Sequence, residues 1–266
     1  MINIIDLEKF ITEKIGNKEF NIDEGRVFGL SKKRFEKVIV CWMATVEAIE
    51  FAVKNKADVI ICHESLFLPY NAPLKSFQDI PKDFLSWSTN AKRIELLVKN
   101  NIGVIRVHGS MDKFIILDAY INQIKLGKIV YKNDEKFHRI VKFSPIKLEK
   151  LSLKIKTTLG LKKVLIVGNK NIKVSIAGFI WGGLGLFCNI DFIETMISLG
   201  CDVLIGGESD EYAMQYIKDS GISAIITSHM ISENMGIQIF SQKLAEKFKN
   251  KLEVIYFENK LPYNFL

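Results

Sequence analysis

The sequence of 266 residues has few of the residues that mark secreted, membrane or disordered chains. Its four cysteines, Cys41, Cys62, Cys188 and Cys201, are dispersed, mostly within apolar strand-like runs, and form no CxxC pair. That usage excludes a disulfide-stapled scaffold and a zinc ribbon, and fits buried free thiols in a cytoplasmic protein. Five prolines and 25% charged residues exclude low-complexity and collagen-like chains. No apolar run approaches the roughly 18 residues of a membrane span, so no membrane partner is expected. The opening MINIIDLEKFITEKIG carries acids early and resembles neither a signal nor a transit peptide.

The 48% of hydrophobic residues suffices for one large domain or two small ones. The net charge of +7 is uneven: residues 125–173 hold fourteen Lys plus Arg against three acids, a local +11 that leaves the rest slightly acidic. Such a segment suits a polyanion such as nucleic acid. Only five of the 37 basic residues in the chain are arginine, and no nucleic-acid motif accompanies them, which favours a solvated lysine surface.

Short apolar runs alternate with helical patterns, predicting an α/β fold with mainly parallel pairing. Strands are expected at 37–41, 58–63, 103–108, 173–179, 202–207 and 223–229. Helices are expected at 45–56, 88–100, from near Asp112, at 190–200, at 210–220, and after 229 to about 247. A long loop over 65–86 carries Pro69, Pro73 and Pro81. The basic segment 128–168 should add strands and one helix, entered at Ser144-Pro145.

The order repeats. ADVIICHES (57–65) matches CDVLIGGES (201–209), and GVIRVHGSMD (103–112) matches AIITSHMISE (224–233). His63-Glu64 thus falls opposite Gly207-Glu208, His108 opposite His229, and Asp112 opposite Glu233. Two similar α/β halves are expected, 1–127 and 128–266, packed together.

In open α/β sheets functional groups collect at the carboxyl ends of strands. That rule places His63, Glu64, His108, Glu208 and His229 at one edge, with Asp112 and Glu233 a turn beyond. Imidazoles with carboxylates suit divalent ions, and two ions would activate a water and stabilise attacking and leaving oxygens. A lone strand-end histidine often only bonds a loop; three, each with a carboxylate, favour metal. HExxH fails because Phe67 stands where the second histidine belongs. WGGLGLF (181–187) lacks nucleotide-loop spacing and reads as a close backbone turn beside the site.

These motifs, with EGRVFGL (24–30), WGGLG and SHMISENMG in order, resemble the Nif-three-like dinuclear metal-centre family, GTP cyclohydrolase I type 2 homologues. The likeness covers most of the chain. It implies two α/β parts with a metal site between them and homo-oligomers, typically hexameric rings. It makes His63, Asp112, His229 and Glu233 ligands, Glu233 bridging two ions. Glu64 stands where the family has a second histidine, Ser65 where it has proline, and Asp210 and Glu211 where histidines often follow. Glu64 as a ligand would favour manganese, magnesium or iron over zinc.

The reading that results is a cytoplasmic, metal-dependent hydrolase. It would hold two divalent ions per chain (zinc, manganese or iron) and act on a small phosphorylated or nucleotide-like substrate. His108 and Glu208 are candidates for supporting the metal ligands or transferring a proton. The rival is a non-enzymatic metal-binding ring that docks nucleic acid or a protein through the lysine-rich segment.

Overall fold

The computed structural model of the protein describes residues 1–15, 24–29, 34–68 and 82–264. Most of the expected proline-bearing loop, 69–81, lies outside the described residues. In chain order the first elements are α1 (Ile4–Ile15), β1 (Gly25–Phe28), β2 (Lys37–Cys41), α2 (Val46–Lys54), β3 (Val59–Cys62), α3 (Ser88–Lys99) and β4 (Gly103–Arg106). A short α4 (Gly109–Met111), a π turn (Asp112–Ile116) and α5 (Leu117–Ile124) follow. Then come β5 (Lys128–Asn133), β6 (His138–Lys147), α6 (Leu148–Thr158), β7 (Leu165–Val167), β8 (Lys173–Ile180) and α7 (Ile190–Ser198). The last are β9 (Val203–Gly206), α8 (Glu211–Asp219), β10 (Ser223–Ile226), α9 (His229–Lys247) and β11 (Glu253–Phe257). No helix among the described residues is long and apolar enough to cross a membrane.

One compact unit comprises Met1–Phe114 and Ile237–Lys260. Its sheet runs β1-β4-β3-β2-β11, parallel from β4 to β11 and antiparallel between β1 and β4. The residues of VIIC in β3 are all buried, as a strand covered on both faces requires. Ile39, Ile49, Ile60, Leu97 and Val104 join one apolar cluster there, each fully buried aliphatic side chain stabilising by about 1.5–3 kcal/mol.

The other unit comprises Ile115–Gly236 and the residues from Leu261. Its sheet runs β5-β6-β8-β9-β10-β7, parallel only for β8-β9-β10. The basic segment therefore adds antiparallel pairs, and the pairing is less parallel than expected. The units also differ from the halves 1–127 and 128–266: β11, a strand the sequence reading did not include, pairs with β2 and belongs to the first unit. Ser144-Pro145 does not open a helix. It lies in β6 where the register slips between Lys142 and Ile146, an irregularity that tolerates a residue without an amide hydrogen; α6 begins at Leu148.

Within each unit the same pattern recurs, β1-β4-β3-β2 in one and β7-β10-β9-β8 in the other, each with an antiparallel edge strand first. The aspartate shared by ADVII and CDVLI has the same task in both. Asp58 accepts the amides of Glu36 (2.9 Å) and Lys37 (3.1 Å). Asp202 accepts the amides of Ser175 (2.8 Å) and Ile176 (2.9 Å) and the Ser175 hydroxyl (3.1 Å). Each carboxylate ties the start of a middle strand to its neighbour. Cys41, Cys62 and Cys201 are buried and Cys188 is exposed. Burial pushes the Cys62 and Cys201 thiols up to about 12, so they stay protonated and serve as core.

Candidate metal centre

In the first unit β3 ends at Cys62 and the chain continues beside the residue that follows β2. The His63 amide donates to the Trp42 carbonyl at 3.0 Å, and the Glu64 amide to the same carbonyl at 2.8 Å. The His63 side chain is wholly buried, with Nδ1 3.1 Å from the Val107 carbonyl. A carbonyl only accepts, so Nδ1 carries the hydrogen and Nε2 keeps its lone pair. Nε2 faces Asp112 Oδ1 at 3.8 Å. The His108 ring lies 4.8 Å from the His63 ring, and donor atoms of His63, Glu64 and His108 fall within 4.8 Å of one another, close enough to hold a metal ion.

Two side chains support this arrangement, and sequence reasoning gave neither a role. Glu24 accepts the amides of His108 (2.6 Å) and Ser110 (2.8 Å) and the Ser110 hydroxyl (2.5 Å), fixing the loop that leads to Asp112. Buried Arg106 donates from Nε to the His63 carbonyl at 3.1 Å. Glu24 does sit in EGRVFGL, but nothing in a single sequence pairs it with a loop 84 residues on.

In the second unit His229 and Glu233 lie one turn apart at the start of α9, with Nε2 3.2 Å from Glu233 Oε1. The Glu208 carboxylate, at the end of β9, meets His229 Nδ1 at 2.8 Å. An ionised carboxylate only accepts, so Nδ1 again donates and Nε2 again presents a lone pair to a carboxylate. Two acceptors aimed at one another are favourable only with a cation, a proton or a metal ion, between their charges. Two ligands of one ion with bonds near 2.1 Å stand about 3.0–3.4 Å apart, which the 3.2 Å separation matches. The donor set fits a divalent metal.

The glycine-rich turn makes room for this pair. A Cβ on Gly182 would stand 2.3 Å from Glu233 Oε1 and 3.3 Å from His229 Nε2, and its φ of +53° also favours glycine. The turn therefore packs beside the site, the place that the glycine-rich WGGLGLF predicts for it. His138 is buried against Phe192 at 5.1 Å, and burial, reinforced by Lys136, holds its pKa below the ordinary histidine value. It is a packing histidine. A cleft of the second unit, lined by Val167, Met214, Lys218 and Ile222 among others, contains none of the proposed ligands.

Thus the first unit gathers His63, Glu64, His108 and Asp112, and the second gathers Glu208, His229 and Glu233. Residues 6–262 match the family model Duf34/NIF3 (NGG1p interacting factor 3). A Neisseria meningitidis serogroup B protein named "GTP cyclohydrolase 1 type 2 homolog" is 24% identical over 233 residues, 85% of each chain. The crystal structure of Staphylococcus aureus protein SA1388 superposes with TM-score 0.78 at 16% identity, covering 100% of this chain and 99% of that one. A Bacillus cereus protein related to NIF3 superposes with TM-score 0.77 at 15% identity, with the same coverage.

Proposed function

This chain belongs to the Duf34/NIF3 family, and from that premise we propose that it is a dinuclear, metal-dependent hydrolase acting on a small phosphorylated or nucleotide-like substrate. His63, Glu64 and Asp112 supply ligands from one unit, and His229 and Glu233 from the other, with Glu233 as the bridging carboxylate. The observation that carries this reading is the same pair in both units: a histidine whose Nδ1 is committed as a donor and whose Nε2 faces a carboxylate. Bound divalent ions would supply Lewis-acid polarisation and a water acidified towards neutrality. Glu208 orients the His229 ring and raises its basicity. His108, whose ring lies beside that of His63, is our candidate to move a proton. The relatives' cyclohydrolase name is compatible with hydrolysis of a nucleotide-like ring.

Assembly as a homo-oligomer, a hexameric ring, and a cytoplasmic location belong to the same proposal. The rival docking role finds support in β5, an exposed edge strand bearing Lys128 and Lys132. Against it, Lys132 and Arg139 are already paired with Asp118 and Asp134, and Lys170 with Glu149. Elemental analysis of the purified protein tests the main reading. Close to two divalent ions per chain are expected; no stoichiometric metal, with none taken up on reconstitution, overturns it.

A further inference from the structure

The loops after β8 and β9 run side by side. The Glu208 amide donates to the Gly182 carbonyl at 2.9 Å, and Gly185 bridges Ser209. A Cβ on Gly185 would lie 2.2 Å from the Glu208 carbonyl oxygen, so the two strands of loop touch along their length. One end of this double loop is the His229–Glu233 pair, which abuts Gly182. The other end carries two aromatic side chains in solvent, Phe187 at 46% and Tyr212 at 75% exposure. Their ring centroids are 5.7 Å apart with planes tilted by 43°.

Asp210 fixes both rings' backbones. Its Oδ2 accepts the Phe187 amide at 2.7 Å, while its Oδ1 accepts the Ala213 amide at 3.0 Å and caps the helix whose first turn bears Tyr212. Aromatics held this way lose little freedom on binding a partner. The charge nearby is one-signed. Between Lys173 and Lys218 the sequence has no Lys or Arg, and Glu208, Asp210 and Glu211 lie within four positions of Tyr212. In a chain of net charge +7 this region repels anions and suits a neutral or cationic group.

We infer that Phe187 and Tyr212 form a stacking platform for a planar heteroaromatic ring, neutral or cationic, on a small ligand whose other end lies towards Glu208 and His229. Tyr212 lies four positions after Glu208, and Phe187 five positions after Gly182. Extended chain sets upper limits of about 14 and 18 Å on those spans, the reach of one nucleoside-sized molecule carrying a further group. The inference deepens the proposed function and rests on it for the direction in which the ligand's far end points.

The test is calorimetric titration of the metal-loaded full chain with adenosine, with 1-methyladenosine as a cationic ring, and with benzoate as an anionic ring. Binding should rank 1-methyladenosine above adenosine and adenosine above benzoate. Tyr212→Ala and Phe187→Ala should each weaken adenosine binding about tenfold, from the usual worth of a base–aromatic stack. Tyr212→Phe should retain it. Metal content, measured on the same samples, should be unchanged in all three variants. Absence of ring binding by metal-loaded wild type, preference for benzoate, or alanine variants that bind as wild type would each overturn the platform while leaving the metal reading intact. Ring binding lost in Tyr212→Ala, by a wild type that holds no metal, would uphold the platform and sink the hydrolase. Altered particle size in both alanine variants would mark the pair as a packing contact and overturn the inference.

Discussion

In the first unit the His63 side chain is wholly buried and its Nδ1 is held by a backbone carbonyl; in the second, the His229 side chain is 25% exposed and Nδ1 is held by a carboxylate. The strand orders that deliver them are the same, β1-β4-β3-β2 and β7-β10-β9-β8. One scaffold thus builds a closed half and an open half. A backbone anchor has fixed position and no net charge, so the His63 half is set by the course of β4 and by Arg106 and Glu24 around it. A carboxylate anchor adds charge and makes the ring a better ligand, and its exposure leaves the second half accessible.

The largest effect should come from removing the charge shared with His229. Glu233, 3% exposed, is the carboxylate facing Nε2. Glu233→Gln keeps its shape, yet leaves the cations with one less negative charge among them. At least one of two ions per chain should be lost, with the far-ultraviolet circular dichroism unchanged. Retention of both at wild-type occupancy would refute the bridging role, and unfolding would show the carboxylate to be structural.

A smaller loss should follow Glu208→Gln. The amide oxygen still accepts from Nδ1, but the ring loses the basicity an ionised partner confers. Outer-shell changes of this kind usually cost 10–100-fold in metal affinity, which competition against a chelator would measure. The first unit has no side chain to change at the corresponding position, since Val107 holds His63 through its backbone. If Glu208→Gln left affinity untouched, the open half would owe nothing to its carboxylate and the contrast between the units would fail.

What the sequence made legible follows from locality. Strand ends, the helix spacing of His229 and Glu233, and the order of the repeat are short-range patterns, and the residues they single out do gather within each unit. Glu24, Arg106 and β11 escaped because their meaning lies in partners 84, 43 and more than 200 residues away. Ser144-Pro145 misled for the opposite reason: the local pattern of a helix start was present, but β6 and β8 had already claimed that backbone through pairing on either side of it. The phrases beginning at 57 and 201 share their aspartate because one carboxylate ties the start of a middle strand to its neighbour in both sheets.

Glu64 offers a change of preference rather than a loss. It is 6% exposed and adjoins His63 where the family places a second histidine. Glu64→His exchanges a hard anionic oxygen for a softer neutral nitrogen, so competition between zinc and manganese should move towards zinc by about tenfold, one 1.4 kcal/mol step. Unaltered competition would remove Glu64 from the ligand set.

The smallest effect separates the open half's scaffold from its chemistry. α8 starts at an Asp210 cap whose side chain accepts from Ala213, whereas α3, its counterpart in the first unit, starts at Trp87 with no side-chain cap bond. Desolvation pushes the Asp210 carboxyl up, but hydrogen bonds from the amides of Phe187, Ala213 and Tyr212 outweigh it and hold the pKa below the usual value. A carboxylate depressed on folding stabilises above its unfolded pKa, near 3.9, and that contribution fades as pH falls through the folded value. Asp210→Asn keeps one acceptor oxygen and loses the charge at a helix N-terminus, worth about 0.3–1 kcal/mol and at the lower end for a group this open to solvent. The variant should therefore unfold at slightly lower urea concentration than wild type at pH 7, and the gap should narrow as pH falls below the unfolded carboxyl pKa and close only below the folded one. Metal content should not change, because Asp210 bonds amides and not the His229 ring. A gap independent of pH would mean that the cap acts through shape alone. A loss of metal would show that the loop Asp210 holds, and not only Glu208 upon it, sets the geometry of the open half.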